Sequence, residues 1–254
     1  MRDLGVHIRT GLSVSGLEER DGRVRGVVTG EGTIPTDVVV LGLGVRPNTD
    51  LAADAGLPLG PSGAVRVDRR MRVLDTPGVW AAGDCVECLH RVSGMPVHVP
   101  LGTHANKQGR VAGINIGGGY ATFTGVIGTA VTKVCDLEVG RTGLREKDAR
   151  AAGFDFVSVV AESTSRAGYY PGTRPMTVKL IAERPSGRLL GAQIVGWSEA
   201  AKRIDGLAVA LWNGMTVDEM TALDLGYAPP YAPVWDPVLI AARKAVDALH
   251  DGAG

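Results

Sequence analysis

Apolar and polar positions alternate along the first stretch of the chain. In "VHIRTGLSVSGLEE" and "RVRGVVTG" apolar residues fall at alternate positions, the period of strands with one covered face, and "EGTIPTD" is expected to supply the turn between them. The pattern then changes to "DVVVLGLGV", Asp37 to Val45, an unbroken apolar run ending in glycines. Such a run predicts a strand buried on both faces. "RPNTDLAADAGLPLGPSG" reads as a Pro-Asn turn, a short helix and a loop, and "AVRVDRRMRVLDTPGVWAAGD" as two or three short strands leading to Asp84. In "VPLGTHANKQGRVAGINIGGG" a proline stop precedes a helix from about Gly102 to Ile116, with glycines beyond it.

After Gly119 the rhythm is different. "FTGVIGTAVTKVCDLEVGRTG" predicts two strands, "LREKDARAAG" a charged helix closed by Gly153, and "FDFVSVVAES" another strand. "MTVKLIAERPSGRLLGAQIVG" predicts a hairpin whose turn is Pro185, Ser186 and Gly187. Helices follow in "EAAKRIDGLAVALWNG" and "DPVLIAARKAVDAL", and Thr216 three residues before Glu219 forms a capping-box pattern. The fold class is therefore α/β followed by α+β, with the change of character near residue 120.

Composition narrows the function. With 254 residues, 44% of them hydrophobic, the chain is long enough for two domains and a proper core. Lys plus Arg and Asp plus Glu both total 27, so no charge footprint favours nucleic acid or an anionic membrane. No apolar run has the length of a membrane helix, and "MRDLGVHIRTG" shows no secretory signal. Three cysteines make no disulfide framework. Together these predict a cytoplasmic protein.

The chemistry centres on "TPGVWAAGDC", Thr76 to Cys85. A glycine followed at once by Asp84 at the end of an apolar strand suits a ligand site at the carboxyl edge of an open sheet. Its usual companion, a G-x-G-x-x-G loop against a helix N-terminus, is missing: Gly42 and Gly44 are followed by Pro47, and Gly117 and Gly119 by Thr122. No dithiol precedes Asp84, because Cys85 is the first cysteine.

"TPGVWAAGDC" resembles the second flavin motif of the pyridine nucleotide-disulfide oxidoreductases. "GVRPNT" resembles the exit from that family's NAD domain. "GTAVTKVCDLEVGRTGL", "AGYYPG", "KLIAERPSGRLLGAQIVG", "KRIDGLAVAL" and "LDLGYAPPYAPVWDPVLIAA" resemble its dimerisation domain. The likeness covers nearly the whole chain and is greatest to coenzyme A-disulfide reductases and the related NADH oxidases and persulfide reductases. It implies a remnant of an NAD(P)-binding domain over 1–45, part of a three-layer FAD-binding domain over 46–119, and a dimerisation domain of antiparallel sheet and helices over 120–250. The implied cofactors are FAD and NAD(P)H, and the implied partner is a second copy through 120–250.

The same resemblance assigns roles. Gly83 and Asp84 would meet the ribityl chain of FAD, and the backbone of Leu101, Gly102 and Thr103 its pyrimidine edge. Gly44 belongs to the same cofactor-binding set, and Asn106 and Lys107 would face the substrate side. The family's His-Pro-Thr segment is replaced by "GYAPPY", and the only late histidine is His250. In the coenzyme A branch that the chain resembles, tyrosines of "YYPG" and "YAPPY" reach from one subunit toward the flavin and redox cysteine of the other. This implies Tyr169 and Tyr227 as the catalytic groups, with Tyr170 and Tyr231 as neighbours. A phenol can donate to a developing thiolate without carrying charge. Some relatives carry a substrate-binding lysine shortly after "YAPPY", and here Trp235 lies in that neighbourhood. Cys85, Cys88, His90 and His98 offer a competing metal or redox reading, but the histidine spacing fits no usual zinc pattern.

Both Gly-rich loops and the redox cysteine of the family are absent from these 254 residues. The expectation is thus the C-terminal portion of a flavoenzyme, starting in mid-domain, complemented by an N-terminal half in one reading frame or in a separate chain, and inactive alone. A stand-alone dimerisation module is a second reading. An NADH oxidase, peroxidase or persulfide reductase, acting on oxygen or a persulfide in place of a small disulfide, is a third.

Overall fold

The computed structural model describes Arg2 and residues 5–251, and the chain divides after Val45 into two compact units. In the first, β1 (Val14–Arg20), β2 (Arg23–Thr29) and β3 (Gly32–Pro35) form an antiparallel meander. The turn joining β1 to β2 is Asp21-Gly22, with φ of 55° and 72°. Positive φ at both positions matches the right-handed twist of the strands, which explains the Asp-Gly pair. "EGTIPTD" is consequently not the connecting turn, since most of it is β3 itself.

The larger correction concerns Asp37 to Val45. This run is unpaired and not a strand, and Val38, Val40, Leu41, Leu43 and Val45 are 69–89% exposed. Its composition is that of a strand covered on both faces, yet among the described residues no neighbour supplies the ladder or the cover.

The second unit begins with α1 (Asp50–Asp54) and a small sheet in the order β4 (Val65–Arg66), β5 (Val86–Leu89), β6 (Pro96–Val97). Between Val65 and Trp80 the expected short strands reduce to β4 and the single bridges Val67 to Val73 and Arg72 to Trp80. Helix α2 (Gly102–Ile116) packs Val111 and Ala112 against Val65, Met71, Val73, Val86 and Phe123.

Beyond residue 128, β7 (Ala130–Val134), β8 (Leu137–Gly143), β9 (Phe156–Thr164), β10 (Pro175–Glu183) and β11 (Leu189–Gly196) form an antiparallel sheet in the order β7-β8-β11-β10-β9. One face packs on α4 (Ala200–Asn213), α5 (Val217–Thr221) and α6 (Pro237–His250). The core there includes Leu180, Ile194, Ile204, Leu207 and Met220, all 0% exposed. Each such side chain contributes roughly 1.5–3 kcal/mol of hydrophobic stabilisation. Gly140 allows α4 to come close, because a Cβ there would lie 3.0 Å from that of Ile204. The expected capping box of α5 is present, Thr216 Oγ1 accepting from Glu219 N at 3.1 Å and the Glu219 carboxylate accepting from Thr216 N at 2.8 Å.

On the other face, α3 (Glu146–Ala151) sets Ala149 against Ile181 and Leu190. From α3 the Glu146 carboxylate pairs with Lys179 of β10 and accepts from Ser158 of β9. Lys179 first, then Ser158, hold its pKa down to about 2. That value lies below the unfolded one, so the stabilisation is complete above the ordinary carboxylate range and is lost as pH falls toward 2. Glu146→Gln is expected to cost about 1 kcal/mol near neutrality, and urea unfolding should show this deficit shrinking as the solution is acidified.

Candidate functional site

The turn at Gly83 and Asp84 and the first turns of α2 form one structure. Gly83 sits at φ 89°, a conformation that L side chains rarely adopt. Its N–H donates to Gln108 Oε1 at 2.8 Å, and Gln108 is 2% exposed. His98 Nε2–H donates to the Asp84 carbonyl at 2.7 Å, and His104 Nδ1–H to the Val99 carbonyl at 3.2 Å. Two side chains thus fix the peptide groups around Asp84, while its carboxylate remains exposed and has no partner among the described residues.

Helix α2 starts without a side-chain cap. Its N-cap, Leu101, is extended, and its carbonyl accepts from His104 N at 2.9 Å and Ala105 N at 3.0 Å. The N–H groups of Gly102 and Thr103 have no partner among the described residues, and both residues are exposed. A helix start of this kind favours electron-rich ligand atoms. His104 in the first turn is held below its ordinary pKa, chiefly by burial and further by Lys107; the Val99 carbonyl and the Asp84 carboxylate act against this. It is therefore a neutral donor near pH 7.

Two clefts reach this helix start. One, of about 490 Å³, is lined by His98 and Leu101 together with Arg141 and Arg145. The other, of about 770 Å³, runs along Thr103, Lys107 and Arg110 and is walled by Asp205 and Trp212 of α4. Lys107 is exposed and lines the second cleft; Asn106 is exposed, but its side-chain amide donates to the Gly102 carbonyl at 3.1 Å.

The expected residues fall into three groups. Gly83, Asp84, Leu101, Gly102, Thr103, Asn106 and Lys107 belong to the Asp84 turn and α2. Gly44 lies in the exposed run of the first unit, at φ 82°. Tyr169 and Tyr227, 78% and 49% exposed, lie on two irregular segments, and neither lines either cleft. The two phenols are neighbours: the Tyr227 pKa is raised by removal from water and then by the Tyr169 hydroxyl. Tyr170 is half-buried and Tyr231 is exposed.

Cys85 and Cys88 are free thiols. Burial first, then Glu87, pushes Cys88 up to about 11, the opposite of what a nucleophile or metal ligand requires. Among the described residues no three His, Cys, Asp and Glu side chains gather in a way that could hold a metal ion.

Gln108 is not among the expected site residues, and His98 is expected only in the competing metal or redox reading, not as a partner of the Asp84 peptide. For Gln108 a signal existed: Gln108, Val111, Ala112 and Asn115 form the buried stripe of α2, and two of these four are polar. A buried amide on such a stripe requires a partner. His98 sits in a loop, where no periodicity could assign it to the Asp84 carbonyl.

Two family models match the chain. One, described as pyridine nucleotide-disulphide oxidoreductase, covers residues 1–109; the other, that family's dimerisation domain, covers residues 129–237. The NAD(P)H sulfur oxidoreductase (CoA-dependent) of Pyrococcus furiosus is 40% identical over 95% of this chain and 53% of its own length. An NADH oxidase of Methanocaldococcus jannaschii is 38% identical over 85% of this chain and 47% of its own. The solved structure of an NAD-dependent persulfide reductase from A. fulgidus superposes with a TM-score of 0.94 at 45% identity, over 99% of this chain and 46% of that one. The chain thus spans about half the length of the relatives it matches.

Removing the Gln108 amide leaves the half-buried Gly83 N–H without an acceptor. Gln108→Ala is expected to lower stability by about 1–3 kcal/mol, and hydrogen exchange should show the Gly83 amide losing protection.

Proposed function

This chain belongs to the pyridine nucleotide-disulphide oxidoreductases, which depend on FAD and NAD(P)H, and on that footing we propose that it is the flavin-capping and dimer-forming half of a disulfide or persulfide reductase. The carrying observation is the Asp84 turn held against the uncapped start of α2.

The residues present fit one side of a flavin. Among the described residues Asp84 offers an unpaired carboxylate for a ribityl hydroxyl, Gly102 and Thr103 offer two unpaired N–H groups, and a Cβ at Gly102 would meet nothing within 4 Å. When bound, FAD supplies the redox chemistry, accepting a hydride from NAD(P)H and passing electrons to a cysteine or another oxidant. Tyr169 and Tyr227 supply a proton to the sulfur released as the disulfide opens, and the Tyr227 phenol is held above its ordinary pKa. In this reading they reach the site of the partner subunit, through a homodimer built on 120–250, while 1–45 and 46–119 complete the NAD(P)- and FAD-binding domains.

A complementary N-terminal half, in the same chain or another, is part of the proposal. The uncovered run from Val38 to Val45 supports it, because its two apolar faces suit the interior of a larger sheet. A cytoplasmic setting agrees with three free cysteines. Among the described residues no helix is long and apolar enough to cross a membrane. One observation weakens a claim for a coenzyme A derivative specifically: Trp235 lies in the neighbourhood shortly after "YAPPY" where some relatives carry a substrate-binding lysine.

The 254-residue chain, purified alone, is expected to be a colourless dimer that leaves NADH unoxidised; a yellow protein absorbing near ~450 nm and turning over NADH would sink the half-site reading. Supplied with the N-terminal half of a persulfide reductase, it should retain FAD, and Asp84→Ala should weaken that retention. In the complete enzyme Tyr227→Phe is expected to lower kcat by about 10²-fold with little change in KM for NADH.

A further inference from the structure

Tyr169 and Tyr227 stand on segments with little structure of their own. Tyr169 lies in the turn from Ala167 to Thr173, where Tyr170 N donates to the Ala167 carbonyl at 2.8 Å and Thr173 Oγ1 donates to the Ala167 and Tyr170 carbonyls. Tyr227 lies in the irregular stretch between α5 and α6. One backbone hydrogen bond joins the two, Ala167 N to the Pro229 carbonyl, and at 3.2 Å it is long. Two phenols that must meet the same sulfur need firmer alignment than this.

The alignment comes from α4. Arg203, one turn into that helix, is 13% exposed at its side chain. Its Nη2 donates to the Tyr231 carbonyl at 3.1 Å and to the Ser165 carbonyl at 3.4 Å, one from each tyrosine segment. Its Nε donates to Asp236 Oδ2 at 3.0 Å, and Asp236 Oδ1 in turn caps α6 by accepting from Val238 N at 2.8 Å. Arg166, three residues before Tyr169, pairs with Glu199 at 3.1 Å, and Glu199 is held at φ 63° as the N-cap of α4. The helix start is thus bound on both sides to the tyrosine segments.

We infer that Arg203 is a positioning residue, whose guanidinium fixes the Tyr169 and Tyr227 segments to each other and to α6 so that the two phenols are presented as one rigid pair. The fork geometry is essential: a lysine ammonium is a point charge and cannot hold a carboxylate through Nε while Nη2 bonds two carbonyls. The inference rests on the proposed reading of the tyrosines as proton donors, but the clamp can be measured without it.

Amide hydrogen exchange on the 254-residue chain, compared for wild type, Arg203→Lys and Arg203→Met, reads the clamp directly. Exchange at 165–173 and 226–232 is expected to rise at least about tenfold in both variants, while β10 and β11 keep their protection. No change in the two segments, or a parallel rise in β10 and β11, would overturn the inference. Should Arg203→Met fail to fold, Asp236→Asn, which keeps the shape but removes the charge, is expected to loosen the same two segments to a smaller degree. In the FAD-loaded complete enzyme, Arg203→Lys is expected to lower kcat by about ten- to a hundredfold with KM for NADH unchanged. A Tyr169→Phe/Tyr227→Phe double variant with full turnover would reject the tyrosines as donors and leave the exchange result intact, so the two failures are distinguishable.

Discussion

The hydrogen bond from Gly83 N–H to the buried Gln108 amide is the constraint on which the site depends. It requires φ near 89° at position 83, hence glycine, and it draws the Asp84 turn against the second turn of α2. Everything proposed for the flavin follows from that contact: the carboxylate faces outward because the peptide groups behind it are occupied, and the helix start lies beside it because Gln108 is on the same helix. His98 adds a second tie on the Asp84 carbonyl. Neither bond touches a ligand, and both determine what a ligand would meet.

The tyrosine pair depends on a comparable arrangement elsewhere, built from charge. Arg203 and Asp236 are nearly buried and satisfy each other, and their remaining hydrogen-bonding capacity goes to backbone carbonyls and to the α6 cap. A buried pair of this kind contributes little net stability, because desolvation offsets the attraction. Its value lies in permitting one arrangement of two loops that apolar packing alone would leave free to shift.

Much of the fold was legible from the sequence because local and tertiary demands agree. The helix Gly102 to Ile116, the hairpin around Pro185 to Gly187 and the Thr216 capping box all occur as their patterns predict. Two expectations fail, one on a local signal and one on a distant one. The β1–β2 turn was assigned to "EGTIPTD" although Asp21-Gly22 carried the stronger hairpin chemistry. The run from Asp37 to Val45 has the composition of an interior strand but forms none here, because what pairs with and covers a strand is decided by residues far away in the sequence. The candidate site divides in the same manner: Asp84 and the tyrosines are expectations drawn from motif resemblance, whereas Gln108, His98 and Arg203 act through contacts across 25, 14 and 33 residues.

That uncovered run also sets a contest of concentrations. Pairing of Val38 to Val45 with a complementary strand on another chain and pairing with its own copies are both encounters between two molecules, so their outcome depends on how much of each is present. A complementary strand joined by a flexible connection acts at an effective concentration in the millimolar range. Self-pairing at ordinary cellular levels cannot match that. Covalent continuity with the proposed N-terminal half would thus protect this edge by proximity alone, before any difference in strand affinity is counted.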